Sequence, residues 1–254
     1  MSAIEHRRTR VPGLIDSKAL PAFPQITNLV LHVDMSEGLW QDAAKTTAAG
    51  NGDAVYTWED LSGNGHDFIQ ATAANRPIMR TDVSGTIDAL EFDGSNDYLS
   101  QAAVLFGNST ATVFIVCYLS SASQKGAMLG VGSNSTGWKV GVGASNFDGD
   151  GNDLIILFDQ VKWVDTNDLI GTGVHLLTVR LTSGAPEWWI DGVASGSATG
   201  SPSGALAATV MGADGVGTGR YYTDYLIELV ASSSAISDAE RGQMETFLMD
   251  RYGI

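Results

Sequence analysis

Short apolar runs recur along this chain, separated by clusters rich in Gly, Asn, Asp and Ser. The runs Leu29–Val33, Val55–Trp58, Leu90–Phe92, Ala127–Val131, Trp138–Val142 and Leu154–Phe158 have strand length and are bounded by turn formers. Leu90–Phe92 ends in Asp93-Gly94, a dipeptide that favours tight turns. Thr112–Leu119 is apolar on both alternating faces, which predicts a strand buried inside a sandwich. In His175–Leu181, Leu177, Val179 and Leu181 share one face, with Thr178 and Arg180 on the other. A turn over Ser183–Pro186 then leads to Trp188–Ile190, a hairpin candidate. Tyr225–Ala231 alternates again and puts Glu228 opposite Ile227 and Leu229. One helix closes the chain. Ser237 and Glu240 form an S-x-x-E capping box, and Met244, Phe247, Leu248 and Tyr252 fall on one helical face. Gly242 weakens this helix by about 1 kcal/mol relative to Ala, so packing must hold it. The pattern predicts an all-β sandwich of two antiparallel sheets with one C-terminal helix packed outside.

Residues 1–27 lack this periodicity and hold Pro12, Gly13, Pro21 and Pro24, so they are expected to form an extended arm, with one domain over 28–254. Charge divides at nearly the same place. Arg7, Arg8, Arg10 and Lys18 against Glu5 and Asp16 give residues 1–24 a net of +2, and the remaining 10 basic and 27 acidic residues give -17. An acidic body repels nucleic acid and anionic membranes. Arg7, Arg8, Arg10, Pro12 and Leu14 are the candidate partner-binding residues of the arm. Cys117 is the single cysteine, which excludes an intrachain disulfide and reads as a buried thiol. No stretch reaches the roughly 20 apolar residues of a membrane span. No apolar segment follows Arg7-Arg8 as in a signal peptide, so synthesis in a host cytoplasm is expected.

Several segments carry a resemblance. They are Trp58-Glu59-Asp60-Leu61-Ser62-Gly63-Asn64-Gly65, Asn75-Arg76-Pro77, and Leu90-Glu91-Phe92-Asp93-Gly94-Ser95-Asn96-Asp97-Tyr98-Leu99. The hairpin His175–Arg180 with Trp189-Ile190-Asp191-Gly192 follows, then Glu228, Ser237-Asp238-Ala239-Glu240-Arg241 and Tyr252-Gly253-Ile254. In this order they resemble the concanavalin A-like, laminin G-type jelly rolls of bacterial and bacteriophage proteins. The resemblance implies a two-sheet antiparallel jelly-roll sandwich and leaves function open, because such folds serve lectins, glycanases, adhesins and virion proteins alike.

Enzyme chemistry finds little footing. Related glucanases carry E-x-D-x-x-E on one strand, but Glu91-Phe92-Asp93-Gly94-Ser95-Asn96 ends in an amide that cannot shuttle a proton, so strand end plus turn is the expected reading. There is no G-x-S-x-G elbow. His6, His32, His66 and His175 are scattered, and one cysteine cannot complete a zinc site. Gly215, Gly217 and Gly219 are followed by no helix to receive a phosphate, and read as a loop. No cofactor is required. Calcium is the one metal suggested, on Asp148, Asp150, Asn152 and Asp153 of a glycine-rich segment, with Asp60 and Asn64 as a weaker alternative; a solvated turn explains the segment equally well. Trp138, Trp163, Trp188, Trp189, Tyr221 and Tyr222 are candidate sugar-stacking aromatics, with most of the six tryptophans expected in the core instead; Trp138, Trp188, Tyr221 and Tyr222 head the set. Of the adjacent Trp188 and Trp189, one must face the core and the other outward.

The expectation is a non-enzymatic virion surface protein, on capsid or tail, docked by its arm onto other virion proteins or onto copies of itself, displaying a lectin-like jelly roll that meets a host glycan. A bacterial carbohydrate-binding module or adhesin is the alternative, and a glycan hydrolase the third.

Overall fold

Ala111–Leu119 forms β8, and every residue of it except Tyr118 is buried. Both faces of the strand are covered, one by a second sheet and one by a helix, as its two-sided apolar pattern demands. The computed structural model describes residues 22–107, 110–121, 125–133, 136–144, 149–158, 162–182, 185–198, 208–216 and 219–254. Arg7, Arg8, Arg10, Pro12 and Leu14 lie outside the described residues.

The first sheet runs β15 (Val193–Ser197), β14 (Ala185–Ile190), β13 (Gly173–Thr182), β8, β17 (Thr223–Ser232), β6 (Ala89–Asp93), β5 (Ile78–Arg80). One side of β17 is shared: β6 pairs with it through Leu226, and β1 (Leu29–Asp34) from Glu228 onward. The register breaks between Leu226 and Glu228, where a bulge bends the strand from one neighbour to the next. The second sheet runs β12 (Lys162–Leu169), β11 (Gly149–Phe158), β10 (Trp138–Ala144), β9 (Gly126–Val131), β16 (Thr209–Met211), β7 (Leu99–Gln101), β4 (Phe68–Ile69), β3 (Thr57–Trp58), β2 (Leu39–Trp40). Among the described residues the ladders between named strands are antiparallel. The molecule is the expected two-sheet sandwich. Trp58, Phe68, Phe92, Leu99, Trp138 and Tyr222 fill the core.

Helix α1, Asp238–Tyr252, closes the chain with both halves of the capping box formed and Gly253 in the left-handed region as its C-cap. Met244, Phe247 and Leu248 are buried against the first sheet, each contributing about 1.5–3 kcal/mol of apolar burial. The helix covers the face of β8 that carries Phe114 and Val116, because their ladder neighbours Val230 and Glu228 lie beside His32 and under Tyr252. Among the described residues no helix is long and apolar enough to cross a membrane.

Residues 22–27 correct the expected arm. Phe23 stacks on His32 at 4.4 Å and meets Phe247 edge-on at 5.5 Å. Thr27 donates from its backbone N–H and its hydroxyl to Glu240 Oε1, at 2.8 and 2.7 Å, and its carbonyl accepts from Ser232 Oγ at 2.6 Å. The two Thr27 bonds and those from Ser237 hold the Glu240 carboxyl down at about 2, with the Thr27 hydroxyl bond as the main cause. The last part of the arm thus packs on its own sandwich. The prolines that hid it from periodicity do not stop Phe23 from finding the helix.

Candidate functional site

Most aromatic candidates are core residues, which corrects the sugar-stacking expectation. Trp138 and Tyr222 are 0% exposed, enclosed between the sheets with Phe106 and Phe92 beside them. Of the adjacent pair, Trp188 joins the core, and Trp189 turns to the helix side, where the Arg241 guanidinium lies 4.1 Å from its ring centroid. Neither offers an open ring face. Tyr221 alone of these keeps a partly exposed flank, beside the Asp214–Arg220 ion pair of 3.0 Å. The Trp163 side chain lies outside the described residues.

The calcium segment is strand rather than loop, since β11 already begins at Gly149 and pairs Asp153 with Leu169. Asp148 and the side chains of Asp150 and Asn152 lie outside the described residues. The Asp60 oxygens are committed to the chain itself: Oδ1 accepts from the N–H groups of His32 and Ser62, and Oδ2 from Ser62 Oγ and the His66 N–H. Asn64 donates to the Leu29 carbonyl at 3.0 Å. These bonds make Asp60 and Asn64 shape the turn over residues 60–66. Asp93 does the same, its Oδ1 accepting from the N–H groups of Ser95, Asn96 and Asp97. Burial pushes the Cys117 thiol up.

A buried polar network fastens the helix to the first sheet. Glu228, 1% exposed, places Oε1 2.8 Å from His32 Nε2 and Oε2 2.7 Å from the Tyr252 hydroxyl that donates to it. Arg251 pairs with Asp34 at 2.5 Å and with Glu228 at 3.3 Å. Burial would raise the Glu228 carboxyl, but the His32 bond and the Arg251 charge together hold it below its ordinary value. Burial, then the charge of Glu228, raise Asp34. His32, Asp34 and Glu228 have ligand atoms within 4.8 Å of one another, spacing that a metal ion could use. The Arg251 guanidinium already supplies the cation there, so the cluster is an internal ion-pair network.

Beyond the C-terminal end of α1 the same sheet face opens. Register places Val174, Tyr118, Tyr225, Glu91 and Ile78 in one row across β13, β8, β17, β6 and β5. Tyr118 and Tyr225 are partly exposed, with ring centroids 5.8 Å apart and planes tilted by 48°. The Tyr225 hydroxyl donates to Glu91 Oε1 at 3.4 Å, and Arg80 Nε to Glu91 Oε2 at 2.5 Å. Burial, then the Glu91 charge, raise the Tyr225 phenol and keep it a donor. Beside the row, Asp224 holds φ at 139°, a strain of about 1–3 kcal/mol of the kind concentrated at functional sites. Its carboxylate accepts from the Ser120 N–H at 2.6 Å, and burial, against that bond, raises it to about 6. The arrangement offers two ring faces, a carboxylate acceptor and guanidinium donors on a rigid sheet. That combination suits a hydroxylated ligand with apolar C–H faces. Glu91 came from the sequence as a failed catalytic residue; Tyr118, Tyr225 and Arg80 were not singled out.

Asp97, on the turn after β6, is raised to about 7 by burial, then by the charges of Asp93 and Glu91. A carboxyl raised above its unfolded value near roughly 4 contributes stability that is fully present below pH 4 and lost as pH climbs through 7. Asp97→Asn keeps an oxygen for the Asp93 N–H and removes the titration. It is expected to remove a slope of up to about 1.4 kcal/mol per pH unit between pH 4 and 7, read by urea unfolding at several pH values. An unchanged slope would refute the assignment.

No protein-family model matches the chain, and no curated protein matches it. Solved structures do. Domain 4 of an extracellular arabinanase from Geobacillus stearothermophilus, in complex with arabinotriose, has a TM-score of 0.57 at 17% identity over 87% of this chain and 100% of that one. Trypanosoma rangeli sialidase gives 0.57 at 14% identity over 92% of this chain, which spans only 34% of the sialidase. The receptor binding domain of botulinum neurotoxin mosaic serotype C/D gives 0.53 at 11% identity, over 86% of this chain and 50% of that one. At these identities the likeness shows the fold, a two-sheet β-sandwich.

Proposed function

We propose that this domain binds carbohydrate without cleaving it, on the open row of the first sheet. The carrying observation is the pair of partly exposed rings, Tyr118 and Tyr225, set side by side on hydrogen-bonded strands with Glu91 and Arg80 next in line. Sugar C–H faces stack on such rings, while hydroxyls donate to a carboxylate and accept from a guanidinium. Similar folds have been solved with glycans, the arabinotriose complex among them, which supports the reading from outside the chain. Cleavage would need a second working carboxyl. The raised acids nearby, Asp97 and Asp224, are 6% and 4% exposed, and both accept backbone hydrogen bonds; Glu91 is occupied by Arg80 and Tyr225. A printed glycan array probed with the full chain tests the proposal, followed by calorimetry and a reducing-sugar assay on the best responder. A blank array sinks binding, and sugar release sinks the non-enzyme part.

The display role is part of the same proposal. The charge split between a basic residues 1–24 and an acidic remainder supports docking of that segment onto a larger acidic assembly, such as a virion surface. Deleting residues 1–21 should leave folding and glycan binding intact and abolish incorporation into particles assembled from the source genome. Full incorporation of the truncated chain would overturn the docking role.

A further inference from the structure

The charges around the tyrosine row restrict which glycan it takes. Glu91 and Asp93 sit on β6, Asp97 on the turn that follows, and Asp224 at the start of β17, so four carboxylates meet at one end of the first sheet. They share a field: Asp93 and Glu91 act on Asp97, and Glu91 acts on Asp224 and on the Tyr225 phenol. Arg80 faces them and is engaged with Glu91 at 2.5 Å. Lys125, exposed beside Thr223, adds a second positive charge at the rim and leaves the balance negative. Of the four, Asp97 and Asp224 are buried, whereas Glu91 is partly exposed and Asp93 exposed on the open side. The whole chain, these groups included, carries a net of -15.

An uncharged hydroxyl can donate to Glu91 and accept from the free N–H groups of Arg80. A carboxylate or sulfate on the sugar would have to share Arg80 with Glu91 or turn to Lys125 at the rim, and in either position it is placed against like charges. Resting on the glycan-binding reading, we propose that this platform selects neutral glycans and rejects those bearing carboxylate or sulfate groups. Sialic acid, the ligand in one Trypanosoma rangeli sialidase complex, is then not the expected ligand despite the shared fold.

The test uses the full chain on an array of matched pairs, each a neutral glycan such as lactose or arabinotriose beside its sialylated, uronic or sulfated derivative. At low salt each anionic member should bind about tenfold or more weakly than its neutral parent. The gap should close at high salt, where exposed charges are screened. Asp93→Asn, exposed and outside the tyrosine row, should narrow the gap at low salt and leave the neutral affinity unchanged. Anionic members binding as well as their parents at low salt would overturn the charge selection while leaving glycan binding in place. A blank array across all pairs would instead overturn the binding reading on which it rests.

Discussion

Tyr225→Ala is expected to weaken glycan binding roughly thirtyfold, the equivalent of about 2 kcal/mol, without unfolding the sandwich. The ring is a partly exposed member of a sheet whose core is built elsewhere, from Trp58, Phe92, Trp138 and their neighbours. Its loss removes the stacking surface that touches Tyr118 at 5.8 Å, and it leaves Glu91 with Arg80 as its remaining partner. Tyr225→Phe keeps the ring and gives up one 3.4 Å hydrogen bond, so its affinity should stay within a few fold of the parent. Tyr118→Ala should weaken binding comparably. The double variant should fall short of the product of the two, because adjacent residues on one ligand are coupled. Calorimetry against the strongest array glycan measures all four, with circular dichroism and melting confirming the fold. Unchanged affinity in both alanine variants would remove this row as the site.

How much of this was legible depended on whether the deciding contact was local. β8 announced itself because a helix on one side and a sheet on the other make both of its faces apolar. The same property concealed Tyr118: in a strand apolar on both faces, an outward tyrosine looks like one more core residue. The helix was legible from its capping box and the spacing of Met244, Phe247 and Leu248. β12 and β15, with sequences KWVDTNDL and VASGS, show no apolar alternation; β2 and β4 are two residues each, too short for periodicity to register, whereas β3 falls inside the expected run Val55–Trp58. Glu228 was visible opposite an apolar face, yet its partner His32 lies 196 residues away, and only the β1–β17 register brings them together. Most tryptophans lie in the core, as expected of large rings, but residue type could not say which; Trp138, carried as a sugar-stacking candidate, is among the largest fully buried side chains. Arg80 meets Glu91 through the pairing of β5 with β6, which no motif records.

Arg251→Met is expected to destabilise the fold by about 3–5 kcal/mol at pH 8, because it strips the guanidinium from two buried carboxylates. Asp34 and Glu228 are 4% and 1% exposed, and Arg251 is the cation both of them contact. Methionine preserves much of the aliphatic stem, so packing loss is a minor part of the effect. Without Arg251, Glu228 keeps the His32 and Tyr252 hydrogen bonds, and Asp34 keeps the Ser36 N–H at 2.8 Å. Burial and mutual repulsion then raise both carboxyls above their unfolded values. Groups raised in this way stabilise the folded state below the unfolded value and lose that contribution as pH rises through the folded one. The deficit of the variant should therefore be largest at pH 8 and shrink toward pH 5, whereas simple loss of packing gives a deficit that does not change with pH. Since Tyr252 and Arg251 hold the last turn of α1 against β1 and β17, hydrogen exchange should quicken first in that turn. Urea unfolding at the two pH values decides the matter. A deficit below about 1 kcal/mol at both, within the range of an exposed pair, would show that the network contributes no more than a surface salt bridge.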